Sequence, residues 1–237
     1  MKNNNKFRLD VWGAITLATI ALYALFLLYP MAYLIRQSVM DPDTGGFTLA
    51  YFTKFFSKSY YFDTLINSFK VSITATVLSI AIGTPLAYLF TIFKIKGKGV
   101  LNILIVVASM SAPFIGAYSW ILLLGRSGVI TTFFKDLGIA IPDIYGFGGI
   151  VLVMTLQLFP LVFLYAKGAL KNIDNSLIEA AENLGCSGIA CFFKVVVPLI
   201  MPTLLAAALL VFMRSFADFG TPMLIGEGYR TFPVVLY

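Results

Sequence analysis

Five stretches of this chain, 11–35, 71–93, 99–125, 144–166 and 195–213, contain no charged residue at all. Each is at least about 18 residues long, enough to cross a hydrocarbon layer of roughly 30 Å as a helix. Inside such a layer no water is present to satisfy peptide groups, so the segments must bond internally, and an α-helix does this within one segment. The runs therefore predict an all-α fold, a polytopic bundle of five spanning helices. Charge supports this, because only 12% of residues are charged, where soluble domains carry about 25%.

The first run follows Lys2, Lys6 and Arg8 and superficially resembles a secretion signal. It is too long for one, since a cleavable apolar region is about 7–15 residues and ends at small residues. Here Tyr29, Pro30 and Tyr33 occupy the exit, so the sequence predicts a retained first helix. Pro85, Pro113 and Pro160 lie inside three later runs and are expected to kink packed membrane helices.

Orientation follows from the basic residues. Lys94, Lys96 and Lys98 crowd the short link between runs two and three, and the amino-terminal tail carries three more; both are expected in the cytoplasm. Alternating the loops gives nine Lys and Arg inside and eight outside. Density favours this orientation, because the rule acts through short loops close to helix ends. The outer segments are then 36–70, 126–143 and 214 onward. The first contains Asp41, Pro42, Gly45 and Gly46, followed by an aromatic-rich stretch expected to sit at the membrane boundary.

Several function classes are disfavoured by composition. The net charge of +6 comes from clusters beside apolar runs, the pattern of a topology signal and not of a nucleic-acid surface. The chain has no His, and its two cysteines, Cys186 and Cys191, have no soft ligand nearby, so no metal site, cofactor or disulfide framework is expected. Without His, Gly185-Cys186-Ser187-Gly188 offers no triad and lacks the spacing of a nucleophile elbow. An ion-driven carrier or channel would place ionisable groups deep in its spans, and the five runs hold none.

Residues 167–194 form the one long segment on the expected cytoplasmic side. Ile173, Leu177, Ala180 and Leu184 make an apolar stripe at helical spacing, while Asn175, Glu179 and Glu182 share another face. Asp174 is a good N-cap, and Ser176 competes because Ser176-x-x-Glu179 fits a capping box. Gly185 is placed to end the helix, and Ser187 to cap a second one running through Phe192 into the membrane.

The order Glu179-Ala180-Ala181, three residues, Gly185, nine residues, Val195-x-Val197-Pro198 resembles the E-A-A-x3-G-x9-I-x-L-P signature of the permease subunits of ATP-binding-cassette importers. Valine stands for Ile and Leu, Phe192 falls where such permeases commonly have Phe, and Phe193 occupies a place often basic in them. Asn67-Ser68, Gly83-x-Pro85-x-Ala87-Tyr88 and SFADFGTP at 215–222 look like the first half of fused permeases of the ferric-iron group. Relatives of that group move polyamines, thiamine or aminoethylphosphonate.

The resemblance implies a type I importer transmembrane domain over 1–237, with 167–194 as a coupling loop seated on a separate ATPase subunit. Glu179, Ala180, Ala181, Gly185, Phe192 and Pro198 are the expected coupling residues. No G-x-x-x-x-G-K-[ST] occurs, so ATP hydrolysis is expected in that partner and this chain is not expected to be an enzyme. A periplasmic or lipid-anchored substrate-binding protein, a second permease half and membrane lipid complete the expected partners, at a bacterial inner membrane. The expected cargo is ferric iron, with the polyamine, thiamine and phosphonate relatives as the alternative. A sixth helix and a second repeat, which fused permeases carry, are missing, so the chain is expected to be a fragment or a half-transporter.

Arg214 and Asp218 stand four residues apart where the fifth run meets the outer boundary. That spacing puts them on one helical face, where they can pair, and by geometry alone an interfacial ion pair and a pathway-facing pair are equally open. The resemblance of 215–222 to a pathway-lining helix of such permeases implies that they line the translocation pathway near its outer mouth.

Overall fold

A computed structural model describes residues 11–41, 45–93, 96–139, 142–186 and 188–236. Lys2, Lys6, Arg8, Pro42, Lys94 and the Ser187 cap lie outside the described residues, as do the side chains of Asn175 and Glu182. The chain divides into two compact units, residues 1–62 and 63–237.

The first unit contains helix α1 (Val11–Ser38) and α2 (Ala50–Ser57). None of the described side chains of α1 is buried. The helix widens at Ala24–Leu28, where the Tyr29 N–H bonds to the Ala24 carbonyl five residues back. The widening falls just before Pro30, which lacks an N–H and would collide with the carbonyl four residues earlier in a regular helix. Between α1 and α2, Met40 and Phe47 form an isolated antiparallel bridge.

Helix α3 (Ser59–Ile92) begins at the end of the first unit and continues through the second. It starts twelve residues before the uncharged run does, because Asp63 and Lys70 end the run without ending the helix. The segment 59–70, expected as part of an outer loop, is therefore helical. The second unit continues with α4 (Lys98–Ser109), α5 (Pro113–Leu124), α6 (Val129–Asp136), α7 (Phe147–Lys171), α8 (Asn175–Asn183), α9 (Gly188–Phe216), α10 (Gly220–Ile225) and α11 (Phe232–Leu236).

Among the described residues, five helical stretches are long and apolar enough to cross a membrane: Val11–Ser38, Ser59–Ile92, Pro113–Asp136 (α5 and α6 taken together across the turn at 125–128), Phe147–Lys171 and Gly188–Phe216. The number agrees with the sequence, but the third does not coincide with the run at 99–125. That run breaks between Ser109 and Pro113, and Pro113 starts a helix where a kink inside one was expected. Proline pushes its predecessor out of the helical region, and Ala112 is extended at φ −70°, ψ 142°. At 12 residues each, α4 and α5 are only about 18 Å long. Neither alone crosses the roughly 30 Å core. Pro85 and Pro160 do lie inside α3 and α7 as expected.

The core of the second unit lies among α3, α7 and α9, where Val71, Phe90, Ile150, Phe163, Ile200 and Val211 are buried. Phe90 meets Phe163 edge to face at a centroid separation of 5.2 Å. The buried side of α3 carries Thr64, Ser68, Ser72, Ala75, Ser79 and Gly83, small residues spaced three or four apart. Lipid tails give apolar helices no hydrophobic reason to associate, so small side chains that allow close approach take over that task.

At one end of this unit three loops are joined. Arg126 Nε contacts Asp143 Oδ2 at 3.1 Å, its Nη2 contacts Glu227 Oε1 at 2.8 Å, and its guanidinium lies 4.7 Å from the Tyr145 ring centre. The Gly146 N–H donates to the Ile225 carbonyl at 2.8 Å. Asn67 Nδ2 donates to the Arg230 carbonyl at 3.1 Å, and Ser68 Oγ accepts the Phe232 N–H at 2.8 Å. These loops are the ones the sequence placed together outside. Asn67 and Ser68, singled out only as a family-like pair, hold the segment that leads into α11.

Candidate functional site

Helix α8 is positioned by its two ends. The Asp174 carboxylate accepts the Ser176 N–H at 3.0 Å, so Asp174 is the cap and Ser176 lies one residue inside the helix. The capping box from Ser176 to Glu179 is therefore not the one used. At the other end Gly185 adopts φ +84°, and the Cys186 N–H reaches the Ala181 carbonyl at 3.0 Å. This is the six-residue closure of a left-handed helix terminus, and it turns the chain sharply toward α9.

With Asp174 serving the cap, the exposed Glu179 makes no hydrogen bond or ion pair among the described residues. Ala180 is exposed beside it and Ala181 is half-buried. The expected apolar stripe is covered at one end, where Ile173 packs against the core, and open at the other, with Leu177 50% and Leu184 89% exposed. Beyond the turn, Ile189 is 78% exposed.

Phe192 and Pro198 act differently. Phe192 is buried, and its ring centre lies 4.7 Å from that of Tyr88 on α3, which ties the start of α9 to the bundle. Its neighbour Phe193 is 64% exposed. Pro198 is exposed, and the turn before it, Phe192–Val196, is widened, with the Val197 N–H bonded to the Phe192 carbonyl. The device is the one that precedes Pro30 in α1. The six coupling candidates thus divide into a helix end that is largely exposed (Glu179, Ala180, Ala181, Gly185), an anchored Phe192, and an exposed Pro198 after the widened turn.

Hydrogen bonds from Ser176 hold the Asp174 carboxyl below its ordinary value of 3.8. A lowered carboxylate pKa stabilises the folded helix above the ordinary value and loses that stabilisation as pH falls through the lowered one. Asp174→Ala is expected to lower the amide protection factors (intrinsic over observed exchange rate) of 176–183 at neutral pH, and acidification of the wild type below 3.8 to lower them as well.

The second candidate region differs from expectation. Helix α9 ends at Phe216, so Asp218 lies beyond it and no longer shares a helical face with Arg214. The ion pair that their spacing allowed is not formed among the described residues. Asp218 Oδ1 accepts the N–H groups of Gly220 at 2.9 Å and Thr221 at 3.3 Å, and Oδ2 accepts the Thr221 hydroxyl at 2.6 Å. The carboxylate closes the turn into α10, a local bond that a short Asp side chain makes readily two and three residues ahead. Arg214 is exposed and has no hydrogen bond or ion pair among the described residues.

Both residues nevertheless line one cavity of about 420 Å³, together with Ser111, Phe114 and Gln157. Its floor is the break between α4 and α5, where Gln157 Nε2 donates to the Ser111 carbonyl at 3.4 Å. Gln157 and Ser111 were not singled out in the sequence. A glutamine in an otherwise apolar run and a serine before a proline were the available signals, and neither says what lies opposite.

Residues 45–236 match the family described as binding-protein-dependent transport system inner membrane components. A putative ferric transport system permease protein of Haemophilus influenzae is 28% identical over 223 residues, covering 93% of this chain and 35% of that protein. The ferric transport system permease protein of Actinobacillus pleuropneumoniae is 28% identical over 240 residues, covering 100% of this chain and 34% of its own length. This chain therefore spans about a third of the length of these two relatives. The spermidine/putrescine transport system permease protein of Haemophilus influenzae is 29% identical over 232 residues, covering 94% of this chain and 79% of that one. Among solved structures, a bacterial alginate ABC transporter bound to a periplasmic protein with alginate pentasaccharide superposes with a TM-score of 0.74. It is 16% identical, over 94% of this chain and 78% of that chain, and shares the fold.

Proposed function

This chain belongs to the family of binding-protein-dependent transport system inner membrane components, and from that premise we propose that it is the pathway-forming permease of an ATP-driven importer. The observation that carries the reading is the exposed end of α8, with a Glu179 that has no partner among the described residues and a left-handed Gly185. The family match establishes a transport component. The ATPase subunit, the external binding protein and the second permease half are proposed from the resemblance of the coupling loop.

In this reading α8 sits in a cleft of the ATPase. Glu179 meets a basic side chain there, Ala180 and Ala181 allow close approach, and Gly185 fixes the angle at which motion passes to α9. Phe192, packed on Tyr88, transmits that motion into the bundle. The amino terminus and the 167–194 loop are cytoplasmic, and the Arg126 cluster is external. Two relatives carry ferric iron in their names and the third spermidine and putrescine, at 28% and 29% identity, so overall similarity does not choose the cargo.

The test reverses one charge. Glu179→Arg is expected to reduce both co-purification of the ATPase and ATP-driven uptake by about tenfold or more, the effect of one desolvated charge pair, while membrane insertion is unchanged. Unaltered uptake and co-purification would remove Glu179 from the coupling surface and undercut the reading.

A further inference from the structure

Resting on the permease reading, we infer that the cavity beside Arg214 receives a cargo bearing an oxyanion (carboxylate, phosphate or phosphonate, free or as a ligand of a metal ion), and not a polycation. The decisive contrast is between two charged residues on the same cavity wall. Asp218 has both oxygens engaged, Oδ1 by the N–H groups of Gly220 and Thr221 and Oδ2 by the Thr221 hydroxyl. Its capacity to accept further donors is largely spent inside its own turn. Arg214 lines the same space with no partner among the described residues, and a guanidinium offers five N–H donors in a planar fork that matches two oxygens of one anion. Ammonium groups entering here would meet a cation and a carboxylate already satisfied.

Depth supports a pathway role. Gln157 lies ten residues into α7, about 15 Å below its start, while Arg214 and Asp218 stand at the outer end of α9. Ser215, next to Arg214, meets Met154 of the same α7 at 3.1 Å, so the cavity lies below the start of that helix and not at its rim. Gln157 retains an amide oxygen and Ser111 a hydroxyl at that depth, which allows a partly dehydrated anion to exchange water for protein groups. Ferric iron meets the inferred condition when it enters ligated by carboxylate or phosphate oxygens.

The experiment uses the full chain assembled with its ATPase and second permease half in nanodiscs. Native cysteines are replaced by Ser, and Ala217→Cys, on the cavity wall, is labelled with a water-soluble maleimide. Inorganic phosphate, citrate and methylphosphonate are compared with spermidine at equal ionic strength. At least one oxyanion should slow labelling about tenfold, the effect of one charged hydrogen-bonded contact. Spermidine should not. Arg214→Gln should abolish the protection and Arg214→Lys should retain part of it, equally in phosphatidylcholine alone and with phosphatidylglycerol added.

Protection by spermidine and by none of the three anions overturns the inference, as does protection that survives Arg214→Gln. Labelling slowed only by phosphatidylglycerol, with no effect of soluble anions, would assign Arg214 to lipid headgroups and overturn it too. The permease reading is judged separately. If nucleotide changes the labelling rate while anions do not, only the cargo inference falls; if nucleotide has no effect and Glu179→Arg still binds the ATPase, the permease reading falls.

Discussion

Gly185→Val is expected to abolish ATP-driven uptake while the chain still inserts and folds. Space is not what excludes a side chain here, because a Cβ at Gly185 meets nothing within 4 Å. Its φ of +84° is the obstacle, since a β-branched residue held there costs on the order of 1–3 kcal/mol. The turn relaxes instead, the bond from the Cys186 N–H to the Ala181 carbonyl is lost, and α8 leaves α9 at a different angle. Asparagine tolerates the left-handed region far better, so Gly185→Asn should keep a substantial part of the uptake. Uptake in vesicles, read beside the amount of inserted protein, checks this. Full transport by the Val variant would mean that the helix angle carries no motion.

Gly83→Val should strongly destabilise the packing of α3 on α7. A Cβ at Gly83 would lie 2.9 Å from the Phe159 carbonyl oxygen, 2.9 Å from Val162 Cβ and 3.0 Å from the Phe163 nitrogen. Two of these are backbone atoms and none is the end of a flexible side chain, so α3 and α7 must separate. Overpacking of this kind costs about 1–3 kcal/mol or more, and in a membrane the lost close approach removes the main attraction between the helices. The thermal midpoint of the purified protein should fall, or the protein should not accumulate. Gly168, also in α7, has nothing within 4 Å of a built Cβ, so Gly168→Ala is the control and should be neutral or slightly stabilising. Equal midpoints for Gly83→Val and wild type would refute the crossing.

Much of this molecule was legible in its residues because the signals are local. Asp174 caps α8 through a bond two residues away, and Gly185 ends it through its own φ. Both are properties of a few consecutive residues, which is why periodicity and turn chemistry found them. The pairing of Arg214 with Asp218 failed on a local competition that spacing does not reveal. Thr221 and Gly220 offered Asp218 nearer donors, and the helix that would have aligned the pair stops at Phe216. The break at Ser109–Pro113 failed similarly, because an apolar run records what lipid tolerates and not where the backbone must bend.

What the sequence alone determined is the class of solvent and the kind of element: uncharged runs of spanning length, the number of long apolar helices, and a helix–Gly–helix loop at a readable spacing. Those follow from transfer free energy and backbone dihedrals, which each segment possesses by itself. Only the tertiary structure decided which groups meet. It joined Arg126 to Asp143 and Glu227, set Gly83 against the backbone of α7, brought Gln157 and Ser111 to the cavity of Arg214, and left Glu179 without a partner among the described residues. In a chain where nearly every face is apolar, hydrophobicity does not distinguish one neighbour from another. The choice falls to small residues, prolines and a few polar groups, and these act only once the helices are side by side.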